Sequence, residues 1–405
     1  MTAAVDVTVV GGGLVGLATA RAMLSAGDTD SVRVIEKEDG LALHQSTHNS
    51  GVLHAGLAYT PGSAKARLAR EGIRDMTEFC VHHDIPHELC GKLVVAVEGP
   101  EQGSLEDLFL RGRRNGVRGL RRLDPDEARE IEPEVRCVAA IHVPEEGIVS
   151  FRGVADALAD EIECGGGELL TGCALRDARR ERGWWHLGTT EGVLRSRVVV
   201  NCAGLFADEV ARICGTSPSV RVLPFRGEYH RLRPGRAGLV RHLIYPVARP
   251  GFPFLGVHLT RRIDGTVDAG PNAVLAFARE GYRRRDIDAR DLLRAIGFPG
   301  LWHFARRHRR MVGEELMQSL VPGRFAAALQ RLVPAIRPDD LVAGHSGVRA
   351  QAVTRSGALV DDFLWEEADG AVHVLNAPSP AATASLAIGK AIARRAGSAL
   401  AAARS

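Results

Sequence analysis

The chain has 405 residues, of which 45% are hydrophobic and 25% charged, and its formal net charge is +3. This is enough for a large core and two domains, and too little net charge to mark a nucleic-acid binder. Seven scattered cysteines without a C-x-x-C pair exclude a disulfide framework, and no metal-ligand cluster stands out. No apolar run reaches the length of a membrane-spanning helix. The first strand starts almost at once, leaving no room for a signal segment, so a cytoplasmic protein is expected.

Asp6 to Val10 reads as a buried parallel strand, and Gly11, Gly13 and Gly16 form a G-x-G-x-x-G turn. Leu14 to Leu24 reads as a helix and Val32 to Ile35 as a second strand, with Glu36 following. Each part has a physical role. Gly11 makes the tight turn, Gly13 admits a pyrophosphate to the backbone, and Gly16 lets the helix pack on the strand. Leu14 and Val15 begin a helix N-terminus whose free N–H groups favour phosphate. Glu36 is suited to accept hydrogen bonds from an adenosine ribose. Strand, turn, helix, strand and acid in this order predict a dinucleotide site.

The polar loop His44 to Gly51, with Thr47, Asn49 and Ser50, reads either as phosphate and ring contacts or as a solvated turn. Ala64 to His82 is a predicted helix with Leu68, Ile73, Met76 and Phe79 on its inner face. Lys92 to Val97 follows as a strand, Leu105 to Asn115 as a helix, and Asp124 opens another. Ile141 to Val143 and Ile148 to Phe151 flank the turn Pro144-Glu145-Glu146-Gly147, and Gly153 to Cys164 is helical. Strands are expected at Leu169 to Leu175, Trp184 to Thr189, Leu194 to Arg197 and Val198 to Gly204. The last of these ends in Ala-Gly, a second place where backbone can approach a ligand. From Arg221 to Ala276 short strands alternate in an antiparallel pattern, including Phe254 to Arg261. Arg283 to Val321 reads as charged helix. Its basic knot, Arg306-Arg307-His308-Arg309-Arg310, is either a solvated face or a surface for an anionic partner or membrane. Strands near Leu359 and from Val372 to Asn376 precede a final helix, Ala384 to Arg395.

Together these landmarks resemble the flavoprotein family that includes D-amino-acid oxidase, glycine oxidase and glycerol-3-phosphate dehydrogenase. His48-Asn49-Ser50-Gly51-Val52-Leu53-His54-Ala55-Gly56, Cys90-Gly91-Lys92-Leu93 and Phe225-Arg226-Gly227-Glu228-Tyr229 are similar to blocks of its L-2-hydroxyglutarate dehydrogenase (oxidase) branch. So are Gly347-Val348-Arg349-Ala350-Gln351 and Asn376-Ala377-Pro378-Ser379-Pro380-Ala381-Ala382-Thr383. His230 and Gly344-His345-Ser346 depart from that branch. The resemblance implies an α/β protein with an FAD-binding, glutathione-reductase-like Rossmann domain and a mixed antiparallel-sheet substrate domain. Residues 1–80, 148–218 and 340–405 would form the first, and 81–147 and 219–339 the second.

The implied reaction is oxidation of L-2-hydroxyglutarate to 2-oxoglutarate, with FAD taking a hydride. His258 is the expected base, although a buried sheet histidine is the reading from residues alone. His54 is its rival, placed against the flavin ring. Arg226, Arg261 and Arg349 are expected at the carboxylates of this small dicarboxylate, with Lys65 a further choice. Tyr229 and Tyr245 either donate hydroxyls or serve as core. For FAD the resemblance adds Lys37, Thr47, Asn49, Ser50, Ala174, Gly204, Gly347 and the turn Pro380-Ala381-Ala382-Thr383. Oxygen or a membrane quinone would reoxidise the flavin, and a quinone would bring the protein to the inner face of the cell membrane. Another small 2-hydroxy acid or an amino acid is the alternative substrate.

Overall fold

A computed structural model describes residues 3–27, 29, 31–248 and 256–404. The predicted strand–turn–helix opening forms as Val5–Val10, Leu14–Ala26 and Val32–Ile35. Val5–Val10 lies between Val32–Ile35 and Gly192–Asn201, parallel to both, and Glu168–Leu170 extends this parallel core beyond Val32–Ile35. Four nearly continuous apolar runs are what a sheet covered on both faces requires. Two hairpin extensions complete the sheet: Leu175–Glu181 with Trp184–Thr189, and Leu364–Ala368 with Ala371–Asn376. The last helix, Ser385–Arg404, packs on the first; a Cβ on Gly389 would stand 2.5 Å from the Ala18 carbonyl carbon.

The second sheet has nine strands in a mixed arrangement. Its spine pairs Val220–Leu232 with Leu341–Thr354 along almost their full lengths, antiparallel. Val267–Gly270, His258–Arg261, Leu243–Pro246, Lys92–Ala96, Ala139–Val143 and Arg121–Leu123 follow in order. Only Leu243–Pro246 and Lys92–Ala96 run parallel among the described neighbours. Side chains alternate across this sheet. Leu93, Val95, Ile244, Leu259 and Ala269 face a helical layer bearing Phe325, Leu329 and Val333. Val94, Ala96, Leu243 and Tyr245 face the other way and join the core of the first sheet. That inward face carries several of the candidate site residues.

Four expectations change. Leu169 to Leu175 is two strands, broken where Gly172 takes φ +67° and the chain bends back onto Glu36 and Glu38. Leu194–Arg197 and Val198 onward are one strand, Gly192–Asn201, whose first half pairs antiparallel and second half parallel. Residues 283–288 precede the first of three helices, Ala289–Ile296, Pro299–Arg307 and Arg309–Leu320, rather than opening one. Leu341–Thr354, grouped with the FAD-binding segment on sequence, pairs in the second sheet. Phe254 and Leu255 of the predicted Phe254–Arg261 strand lie outside the described residues; the strand is His258–Arg261.

Candidate active site

The dinucleotide cradle forms as the residue types require. Gly11 has φ +110°, and a Cβ on Gly16 would lie 2.0 Å from the Gly11 carbonyl oxygen, so neither position accepts a side chain. A Cβ on Gly13 would meet the Ser46 hydroxyl at 3.0 Å, and that hydroxyl accepts from the Leu14 N–H at 2.9 Å. Val15 follows half-buried on the same turn. Glu36 stands at the end of its strand with Oε2 accepting from Gly12 at 2.7 Å and Oε1 from Glu38 at 3.1 Å. Its carboxylate is therefore fixed in orientation before a ribose arrives. A bare backbone turn, a helix N-terminus and a held acid fit an adenine dinucleotide.

The other expected cofactor residues divide by role. Thr47 donates to Ala42, and Asn49 bonds Gln45, Ser46 and Gly51, so both shape the 44–51 loop from within. Ser50 reaches toward the Tyr245 hydroxyl. Gly347 brings Leu341–Thr354 against that loop: a Cβ there would be 2.2 Å from the His48 carbonyl oxygen. Gly204 has φ +53° and sits against Gln45. The Pro380–Thr383 turn is closed by Ala384 N–H donating to Pro380 at 2.9 Å. Ala381 is itself buried and Ala382 half-buried. Buried Thr383 accepts from the His54 N–H at 3.2 Å and donates to Val52 at 3.1 Å.

Two expected contacts are used elsewhere. The Ala174 N–H and carbonyl are each bonded to Thr190 at 3.0 Å, so the N–H is not available to adenine. Lys37 turns away into a cluster with Glu38, Glu280 (2.6 Å) and His44.

On the inward face of the second sheet, alternation places Lys92, Tyr245, His258, Thr260 and Asp268 together. His258 stacks on Tyr245, ring centroids 3.9 Å apart. Its Nδ1 is 3.0 Å from the Gly256 carbonyl. A carbonyl only accepts, so Nδ1 carries the proton and Nε2 the lone pair. Burial pushes His258 down to about 3, with the Arg349, His54 and Lys92 charges adding to the effect. The ring is neutral at any working pH. Tyr229 stacks on His345 at 4.4 Å and lies within the electrostatic reach of Arg349 and Arg262. Burial raises the pKa of both Tyr229 and Tyr245, keeping both hydroxyls protonated. A cleft of about 770 Å³ runs between the 43–48 loop and the middle of the Val220–Leu232 and Leu341–Thr354 strands, lined by Tyr229, His230 and His345 among others.

His258, Arg349, Tyr229, Tyr245 and His54 are thus brought together, and three expected cations are not. Arg226 donates to the Arg283 carbonyl at 3.1 Å and to Glu228 at 3.2 Å, on the side of the strand away from His258. Arg261 pairs with Glu88, and Lys65 is held by Asp361 at 3.1 Å. His230 packs its ring on Phe325 at 4.3 Å, on the helical side of the sheet.

Two residues were quoted in the sequence without a role. Glu146, 1% exposed, accepts from the Ala55 N–H at 3.2 Å, lies 3.5 Å from His54 Nδ1, and pairs with Lys92. Lys92 also sits 4.9 Å over the Tyr245 ring. Burial alone would raise Glu146; Lys92 and His54 overcome it and hold the carboxyl at about 2. The available signal was a lysine on the inner register of an apolar strand, Lys92-Leu93-Val94-Val95-Ala96, which has to find a buried anion.

Fold and site together define a flavin-dependent oxidoreductase: over residues 6–395 the chain matches, and belongs to, the FAD dependent oxidoreductase (DAO) family, and FAD is its cofactor. Within that family it is 43% identical to L-2-hydroxyglutarate dehydrogenase of Indibacter alkaliphilus, over 95% of this chain and 96% of that one. It is 44% identical to mitochondrial L-2-hydroxyglutarate dehydrogenase of Nematostella vectensis, over 96% and 90%. The same fold is seen in L-alpha-glycerophosphate oxidase from Mycoplasma pneumoniae with FAD bound, with a TM-score of 0.78, 21% identity, and 99% and 95% of the two chains covered.

Proposed function

We propose that this chain oxidises L-2-hydroxyglutarate to 2-oxoglutarate. The observation that carries the reading is the polar inward face of the second sheet, where imidazoles, tyrosines and arginines converge between two apolar cores. Full-length relatives that bear the L-2-hydroxyglutarate dehydrogenase name support the choice of acid. FAD, when bound, supplies the hydride acceptor for C2.

The chain's own residues do the rest. Arg349 grips one carboxylate through its planar fork beside the Tyr229 hydroxyl. Arg262 and Arg231 share the single buried acid Asp268, at 3.0 and 3.2 Å, leaving positive charge on the other side of Tyr229 for the second carboxylate. His258 is the expected base; the burial of its ring and the carboxylate beside His54 support His54 in that role instead. The ring of His258 carries one proton, on Nδ1; burial disfavours a second, and the ring orients the substrate hydroxyl through Nε2. His54 faces a carboxylate with Nδ1 and takes the hydroxyl proton at Nε2. Anaerobic mixing with L-2-hydroxyglutarate, the D-enantiomer, L-lactate and amino acids tests this. Flavin bleaching by the L-enantiomer alone is expected, and bleaching only by another acid overturns the substrate.

Reoxidation falls to oxygen or to a quinone, and the surface favours a membrane-borne acceptor. Ile287, Leu293, Ile296, Trp302, Val312 and Leu316 stand exposed in the same 283–321 segment as exposed Arg306, Arg307, Arg309 and Arg310. Apolar side chains within a basic rim suit peripheral contact with anionic lipid at the cytoplasmic face. No helix among the described residues is long and apolar enough to cross a membrane. Sedimentation with phosphatidylglycerol vesicles but not phosphatidylcholine vesicles is the expected result, and equal sedimentation with neither removes the proposal.

A further inference from the structure

Glu146 is an acid buried beside a site that must accept a dianion. A negative charge there opposes substrate binding, so its presence needs a reason. Its position comes from the turn between Ala139–Val143 and Gly147–Val149. The Gly91 N–H donates to its carbonyl at 2.8 Å, which ties the turn to the start of the Lys92 strand. The neighbouring Glu145 is gripped by both Arg70 nitrogens at 2.7 and 3.2 Å, and Arg70 also donates to the Ala55 carbonyl at 3.1 Å. Ala55 is therefore held at its carbonyl by Arg70 and at its N–H by Glu146. His54, one residue earlier, has its own N–H on Thr383. The backbone on both sides of the imidazole is fixed by three side chains from three segments. The ring's Nδ1 then faces Glu146 Oε2 at 3.5 Å, a buried carboxylate oxygen that accepts no hydrogen bond as it stands.

We propose that Glu146 is a positioning residue for the oxidation: its carboxylate keeps the proton of His54 on Nδ1, directs the Nε2 lone pair at the substrate hydroxyl, and balances the imidazolium formed when that proton arrives. This rests on the reading of His54 as the base. The hydroxyl proton goes to Nε2, the electron pair of the C2–H bond leaves as hydride to the flavin, and Glu146 stays ionised throughout. Lys92 has a separate part. It neutralises Glu146 in the resting site, so the acid costs little folding stability and repels the incoming dianion less. The division of labour follows from distance. The lysine is the close partner that keeps the carboxylate charged, and the histidine is the partner whose charge changes.

The tests are Glu146→Gln, Glu146→Asp and the paired Glu146→Gln/Lys92→Met, all as FAD-loaded enzyme. The pair removes both charges together and keeps the comparison interpretable if the single glutamine variant folds poorly. In wild type, nitrogen-15 NMR of the resting protein is expected to show the His54 ring in the Nδ1–H tautomer; in the glutamine variants the Nε2–H tautomer gains population. The plateau rate should fall about 100-fold. Glu146→Asp should recover part of the rate and restore the tautomer. An unchanged tautomer, or an unchanged rate, in a folded FAD-loaded glutamine variant overturns the role. The tautomer measurement needs no substrate, so it stands apart from failure of the L-2-hydroxyglutarate reading, which wild type alone would reveal.

Discussion

Lys92→Met is the sharpest stability test of the site. It removes the ammonium from a pair whose side chains are 7% and 1% exposed and leaves Glu146 with an imidazole at 3.5 Å and one backbone N–H at 3.2 Å. In the folded protein the Glu146 carboxyl lies at about 2 rather than 4.5, despite burial that pushes the other way. Each unit of such a shift corresponds to about 1.4 kcal/mol, so the ionised Glu146, net of burial and with Lys92 and His54 together, contributes about 3 kcal/mol at neutral pH. A depressed folded value means stability that is present above pH 4.5 and is lost as pH falls toward 2. Lys92→Met, which leaves a buried charge without its close partner, should cost about 3 kcal/mol at pH 7, the range for breaking a buried pair. Adding Glu146→Gln to it should cost much less than the sum of the two single changes, with a coupling of about 2 kcal/mol. Urea unfolding at pH 7 with saturating FAD measures all four corners of the cycle. A cost below about 1 kcal/mol for the single variant, or additive behaviour in the double, refutes the argument.

Gly16→Ala should abolish FAD retention, since the new methyl meets the Gly11 carbonyl oxygen at 2.0 Å; the flavin-to-protein absorbance ratio after purification reports it. Arg349→Met should raise KM for L-2-hydroxyglutarate by about 100-fold, and Arg349→Lys should recover little of it, because a lysine lacks the bidentate fork. His44 is pushed down by burial but pulled up further by Glu280 and Glu38, so its folded value is raised above 6.5. Its contribution is then full below that value and lost as pH rises past the folded one. The gap in urea midpoint between wild type and His44→Gln should accordingly be wider at about pH 6 than at about pH 9.

How much of this was legible in the chain depends on which physical signal a segment carries. The opening cradle was readable because its chemistry leaves few substitutes: Gly11 and Gly16 have no room for a Cβ, and Glu36 must end the second strand. Leu341–Thr354 was not, because Gly344, His345, Ser346 and Gly347 look like a loop. Ser346 and Gly347 pair instead along Val220–Leu232, Gly344 and His345 fall at an irregularity in that ladder, and a missing side chain at Gly347 lets the 44–51 loop approach. Cation choice failed for a related reason. Arg226, Arg261 and Lys65 sit in matched blocks, but which carboxylate each meets is set by register and crossing loops: Glu228 is two residues from Arg226 on the same strand face, while Glu88 and Asp361 are far away in sequence. Alternation alone would have found Lys92 on the inner register. The acid that answers it sits more than fifty residues on, in a turn that reads as solvated.

His230 shows how register decides relevance. It follows Tyr229 directly, and by position in the chain it belongs to the substrate pocket. The strand's alternation turns it over: Tyr229 stacks on His345 at the site, while His230 lies on Phe325 among the helices. Its Nδ1 has no hydrogen-bond partner, and burial lowers its pKa. A buried nitrogen without a partner is a cost, so His230→Phe should stabilise the protein by about 1 kcal/mol in urea unfolding. The ring-on-ring contact with Phe325 survives the change. KM and kcat for L-2-hydroxyglutarate should stay within about twofold, because nothing that touches the substrate has moved. A tenfold rise in KM would mean that position 230 faces the substrate, and the assignment of the inward face, from Lys92 through Asp268, would have to be redrawn.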